Sequence, residues 1–161
     1  MTADDVKKQL QLPDVGQIGV VVEDIDRTIA FYEAAFGLGP FDITEAEAPN
    51  VWDRGQEKHI KARLAFTNIG PIELELVQIV EGDSFHLEFL RKHGEGIHHL
   101  GFFVKDFQAK LQQAEAMGFE ILQKDPFGQF YAYLDTRRPG GIIFELIAPA
   151  DGNVSMLRRQ L

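Results

Sequence analysis

Glu145 stands inside Ile142-Ile143-Phe144-Glu145-Leu146-Ile147, an almost wholly apolar run that reads as a strand. A buried carboxylate left alone is too costly to keep, so it must be paired, protonated or bound to a metal. Glu75 has related surroundings. In Ile72-Glu73-Leu74-Glu75-Leu76-Val77 the alternation of a strand puts Glu73 and Glu75 on one face and Ile72, Leu74 and Leu76 on the other. His99 and Gln17 each precede a glycine by two residues, Gly101 and Gly19. On a strand each glycine shares a face with the polar side chain, so a ligand could approach the bare backbone beside it. Neighbouring His98 is expected on the opposite face, in a structural role or behind the ligand shell.

These residues belong to an internal repeat. Gln17-Ile18-Gly19-Val20-Val21-Val22-Glu23-Asp24-Ile25 lies over His99-Leu100-Gly101-Phe102-Phe103-Val104-Lys105-Asp106-Phe107 at an offset of 82, with Gly, Val and Asp identical in place. If a pseudo-twofold relates the halves, Gln17 maps onto His99 and Glu75 onto Glu145, and four oxygen and nitrogen donors converge. Two carboxylates, an imidazole and an amide oxygen suit a divalent zinc, manganese, cobalt or nickel ion and are too hard a set for copper(I). The carboxylates neutralise the ion. Glu73 reads as a carboxylate at the solvent or the cavity edge more than as a catalyst.

The elements that must position these side chains follow from the period of the pattern. After each repeated run the spacing turns helical: Ile25, Ile29, Tyr32 and Phe36 in the first copy, Phe107, Leu111 and Ala114 in the second. Asp24 or Asp26, and Asp106, are placed to cap these helices, with Gly37 and Gly118 to end them. Ala62 to Thr67 and Ile72 to Ile79 form a hairpin across Asn68-Ile69-Gly70-Pro71. Phe119 to Leu122, Phe130 to Leu134 and Ile142 to Ile147 are the matching strands. Ser84 to His93 is a linking helix, and Asp4 to Leu10 and Val154 to Leu161 are short terminal ones.

The expected fold is therefore α+β, one domain over residues 1–161 made of two tandem βαβββ modules. They span about 15–80 and 98–150, joined by a linker over 81–97. The stretch 44–60, with Pro49, Gly55 and many charges, reads as a mobile loop beside the site. Arg54, Lys58, His59, Lys61 and Arg63 could take an anionic substrate arm or form a solvated strand edge. Phe127, Phe130, Tyr131 and Tyr133 read as core and pocket wall.

Composition narrows the chemistry. With 45% hydrophobic residues the chain can bury a core, and with no cysteine it has no disulfide, thiolate metal site or cysteine nucleophile. A net charge of −9, from 16 basic against 25 acidic residues, excludes a phosphate-binding surface for nucleic acid. No run is long and apolar enough to span a bilayer, so no membrane partner is expected and a cytoplasmic protein is.

The duplicated unit resembles the vicinal oxygen chelate superfamily, which includes glyoxalase I, methylmalonyl-CoA epimerases, extradiol dioxygenases and antibiotic-binding proteins. The resemblance covers about residues 15 to 150. Phe89-Leu90-Arg91-Lys92-His93-Gly94-Glu95-Gly96-Ile97-His98-His99-Leu100-Gly101-Phe102 is most similar to the central segment of the epimerases, and Gly140-Gly141-Ile142-Ile143-Phe144-Glu145-Leu146 to their closing strand. It implies a curved sheet forming a cup, a divalent ion on Gln17, Glu75, His99 and Glu145, and an isomerase or epimerase acting on an acyl-CoA thioester through an enolate. A homodimer is implied as well. Gln17 departs from the epimerase pattern, which has His there, and matches forms of glyoxalase I. A lyase acting on a thiol–aldehyde adduct, or a binding protein without turnover, are the alternatives. An extradiol dioxygenase would need His at position 17. The epimerase's catalytic carboxylate has no single counterpart, Glu47 and Glu57 being candidates; epimerisation implies two proton-transfer groups, Glu145, able to swing off the metal, and Glu73 or a loop Glu on the other face.

Overall fold

The computed structural model describes residues 9–149. The expected terminal helices lie outside them, except that Gln9 and Leu10 are not helical. The elements run β1 (Gln17–Val21), α1 (Ile25–Phe36), β2 (Asp42–Asp53), β3 (Gln56–Ile69), β4 (Ile72–Glu81), α2 (Phe85–His93), β5 (Gly96–Phe103), α3 (Phe107–Ala116), β6 (Ile121–Lys124), β7 (Tyr131–Leu134) and β8 (Ile143–Ile147). The order is βαβββ twice with α2 between.

Asp24 caps α1 by accepting from Arg27 N, and Gly37 ends it at φ 65°. Only a residue without Cβ adopts that conformation without strain. Ser84 caps α2 through Leu87 N. Asp106 occupies the cap position of α3, but its side chain makes no capping bond. Asp26, the other candidate cap of α1, instead takes two hydrogen bonds from Arg63, at 2.7 and 3.0 Å.

The sheet closes into a barrel in the order β1-β4-β3-β2-β6-β7-β8-β5. Each module contributes one half, with a parallel inner pair, β1 with β4 and β5 with β8. The halves meet antiparallel at β1–β5 along one seam and at β2–β6 along the other. Helices cover the outside. Ile25 and Ile29 of α1 pack with Val22, Ala65, Leu74 and Leu76. Phe107, Leu111 and Ala114 of α3 pack with Phe102, Val104, Leu134 and Leu146. Phe85 of α2 joins Leu122, Tyr133 and Ile143.

The stretch 44–60 is not a loop. It is the hairpin of β2 and β3, turned at Arg54 and Gly55 with φ 46° and 85°. One of its faces lines a cavity and the other meets solvent, so its pattern lacks the apolar stripe of a strand packed on a core. An Arg-Gly turn also carries a weaker hairpin signal than Asn-Gly.

Candidate metal centre

The pairing of β1 with β5 explains the two glycines. Gly19 stands opposite His99 and Gln17 opposite Gly101, while the parallel neighbours place Glu75 beside Gly19 and Glu145 beside Gly101. Two rows result: Glu75–Gly19–His99 across β4, β1 and β5, and Gln17–Gly101–Glu145 across β1, β5 and β8. The glycines do not leave open wall for a ligand, as the sequence pattern implied. A Cβ on Gly19 would lie 1.9 Å from the His99 ring, and one on Gly101 would lie 3.0 Å from Gln17 Oε1. Each glycine makes room for the polar side chain of the opposing strand, which crosses it to reach the centre.

The four side chains meet at His99 Nε2. Gln17 Oε1 lies 3.2 Å from it, Glu75 Oε2 3.2 Å and Glu145 Oε2 3.1 Å. All four residues are buried, His99 completely. One ring nitrogen carries one hydrogen and cannot serve three oxygens, and Glu145 Oε2 accepts no hydrogen bond. Burial pushes the Glu145 carboxyl up. Burial also opposes a charged His99 ring, but Glu145 and then Glu75 outweigh it and raise its pKa to about 9. Both shifts express one demand: two carboxylates in a buried place call for positive charge between them. The donor set, its convergence and the unserved Glu145 Oε2 fit a divalent cation.

His98 does not turn away from this point. The β1–β5 register shifts between Gly19 and Val20, so that His98 is the extra residue of a bulge. Its Nδ1 lies 3.1 Å from His99 Nδ1. With a cation bound, the tautomer that fits has His99 Nδ1–H donating to His98 Nδ1, which leaves the His99 Nε2 lone pair for the ion. Glu73 accepts from Gln17 Nε2 at 2.9 Å, and this turns Gln17 Oε1 toward His99. Glu73 is not part of the cavity wall.

The centre lies at the bottom of a cavity of about 470 Å³ between the two halves of the barrel. Ile60, Ala62, Leu64, Val77 and Ile79 form one wall, and Phe127, Phe130, Tyr131 and Ile147 line the other side. Tyr133 also faces it, its phenol held protonated by burial beside Glu145. Glu47 and Glu57 reach only its rim; Glu47 is exposed and its carboxylate engages His59 Nε2 at 2.8 Å. The basic cluster is paired with acids on and beside the hairpin: Arg54 and Lys58 pair with Asp53, His59 with Glu47, Lys61 with Glu81 and Arg63 with Asp26.

One residue of the cavity carried no sequence signal. His86, in the first turn of α2, lines the cavity while stacking on His98 with ring centroids 4.5 Å apart. It is buried, and neither ring nitrogen has a hydrogen-bond partner. Burial, and then the charge of His99, push its pKa down to about 3, so the ring is neutral. Nothing in the chain pattern tells that α2 lays this side of its first turn over the barrel interior.

Comparison with known proteins agrees with this architecture. The uncharacterized protein YqjC of Bacillus subtilis (strain 168) is 28% identical over 137 residues, covering 82% of this chain and 89% of its own length. A Streptomyces coelicolor methylmalonyl-CoA epimerase variant, solved in complex with 2-nitronate-propionyl-CoA, superposes with a TM-score of 0.64 at 24% identity over 87% of this chain and 99% of that one. The Mycobacterium tuberculosis methylmalonyl-CoA epimerase gives 0.61 at 22% identity over 88% and 91%. At these identities the superpositions establish the fold. Residues 16–133 match the Glyoxalase/Bleomycin resistance protein/Dioxygenase superfamily, a span that contains β1 through β6, all of β7 but Leu134, and three of the four converging side chains. Together with the doubled βαβββ barrel, this match means that the chain belongs to that superfamily.

Proposed function

We propose that this protein is a metal-dependent isomerase that abstracts a proton next to the carbonyl of an acyl-CoA thioester, the reaction type of the epimerases it resembles in fold. The observation that carries this reading is the convergence of Gln17, Glu75 and Glu145 on His99 Nε2, with Glu145 Oε2 accepting no hydrogen bond, at the bottom of a cavity. A divalent ion held by Gln17, Glu75, His99 and Glu145 would supply Lewis-acid polarisation of a carbonyl and charge stabilisation of an enolate.

The rest is done by the chain. Glu145 is the proton acceptor: it lines the cavity where the substrate would sit, and a carboxylate there can both take and return a proton. Tyr133, protonated, faces the same space as a hydrogen-bond donor. Glu73 acts through Gln17, by fixing its amide, and not as a base. The apolar walls exclude water from a carbanion-like intermediate. Acyl-CoA thioesters as substrates fit a cytoplasmic location.

A second reading, a lyase isomerising a thiol–aldehyde adduct, is favoured by Gln17 at the place where the epimerase pattern has His. Both readings need the same proton abstraction. Protein loaded with zinc, cobalt, nickel or manganese is incubated in deuterated water with a panel of acyl-CoA thioesters and with the glutathione–methylglyoxal adduct. Deuterium at the α carbon of a thioester is the expected result. Label in the adduct product alone selects the second reading, and no label in either removes both.

A further inference from the structure

The centre already balances a divalent charge. Glu75 and Glu145 supply two negative charges, and Gln17 contributes none. Among the described residues the cavity above offers no cation to meet a third. Among the described residues no Lys or Arg lines it, and its inner wall is Ile60, Ala62, Leu64, Val77, Ile79 and Ile147. Its remaining buried acid, Asp125, is already taken by the backbone amides of Phe127, Gln129, Phe130 and Tyr131. His86, buried here with neither ring nitrogen hydrogen-bonded, is a neutral ring that can receive or donate a bond but cannot neutralise an anion. A substrate carboxylate in this space would be a third negative charge at a centre already neutral, with only uncharged donors such as Tyr131, Tyr133 and His86 beside it, an arrangement that burial disfavours.

We propose that the acyl group taken by this site is uncharged and apolar, and that the Glu75 carboxylate together with the cation-free wall excludes acyl groups that carry a free carboxylate. This rests on the thioester reading above and names its substrate class: thioesters branched at the α carbon with hydrocarbon substituents. The volume of about 470 Å³ falls within the range of small-molecule sites and exceeds the needs of a short branched acyl group.

The test uses two thioesters with the same branched carbon, 2-methylbutyryl-CoA and methylmalonyl-CoA, which differ in an ethyl group against a carboxylate. Binding to the zinc-loaded protein is measured by titration calorimetry. The apolar thioester is expected to bind at least ~10-fold more tightly. Glu75→Gln removes one charge from the centre, and Leu64→Arg places a cation on the wall without touching the converging side chains. Each is expected to shift the ratio toward methylmalonyl-CoA by ~10-fold or more. Zinc content is measured in both variants, and Leu64→Arg decides where Glu75→Gln has released its metal. Equal or tighter binding of methylmalonyl-CoA by the unaltered protein overturns the inference and leaves the thioester reading standing. A ratio unmoved by Leu64→Arg also overturns it. Binding of neither thioester removes the reading and the inference together.

Discussion

Two regions of the barrel bury acids, and they treat them in opposite ways. At the β2–β6 seam Asp53 is completely buried and fully served: Arg54 Nε donates to it at 2.8 Å, Lys58 Nζ at 3.1 Å, the Phe85 amide at 3.1 Å and Gln123 Nε2 at 3.2 Å. At the centre Glu145, on β8, is nearly as buried, yet its Oε2 has only a share of the His99 ring nitrogen, 3.1 Å away. Burial alone would raise both carboxyls. At Asp53 the hydrogen bonds from Arg54, Lys58 and the Phe85 amide reverse the shift, and its pKa falls below the ordinary range. At Glu145 burial wins. A served acid holds the fold together, joining the hairpin to α2 and β6. An unserved one, facing a cavity with three other donors, is kept for something that is not part of the chain.

Four substitutions or titrations test that contrast, the largest effect first. Asp53→Ala should destabilise the protein by about 3 kcal/mol in urea unfolding, because it strands a buried amide and removes both cation contacts. Its zinc affinity should be unchanged. Glu145→Gln should reverse the pattern: zinc affinity falls by ~100-fold or more in a competition titration, while the metal-free protein loses less stability than Asp53→Ala does, chiefly the part that the His99 ring draws from the Glu145 charge. A loss of stability as large as that of Asp53→Ala would erase the distinction.

The pH dependence separates the regions again. The lowered pKa of Asp53 gives stability that is complete above the unfolded value of about 4 and is lost as pH falls through the folded value. His99 in the metal-free protein has a raised pKa, so its contribution is complete below about 6.5 and is lost as pH rises through about 9. Unfolding curves from pH 3 to 10 should show both limbs, and Asp53→Asn should lose the acid one only. The smallest effect is expected at Glu73. Its replacement by Ala frees the Gln17 amide to rotate and should weaken zinc binding by ~10-fold with little change in stability.

The repeat made much of this legible in the chain. An offset of 82 aligns Gln17 with His99, and period-two alternation puts Glu75 on the face opposite Leu74 and Leu76, so the four donors could be named before any coordinates. The modules, the capping of α1 by Asp24 and of α2 by Ser84, and the glycine that ends α1 were legible for the same reason: they depend on neighbours in sequence. The β2–β3 hairpin was not, because a strand between a cavity and solvent has no apolar face to display.

Local chemistry thus determined which side chains this protein offers and on which strands they stand, since periodicity and capping are properties of a few consecutive residues. Only the closed sheet decided what they meet. The β1–β5 pairing lays His99 over Gly19 and Gln17 over Gly101, a bulge brings His98 behind His99, and α2 delivers His86 to the cavity. Those contacts join residues far apart in the chain, where the register of pairing and the packing of a helix across strands set the distances.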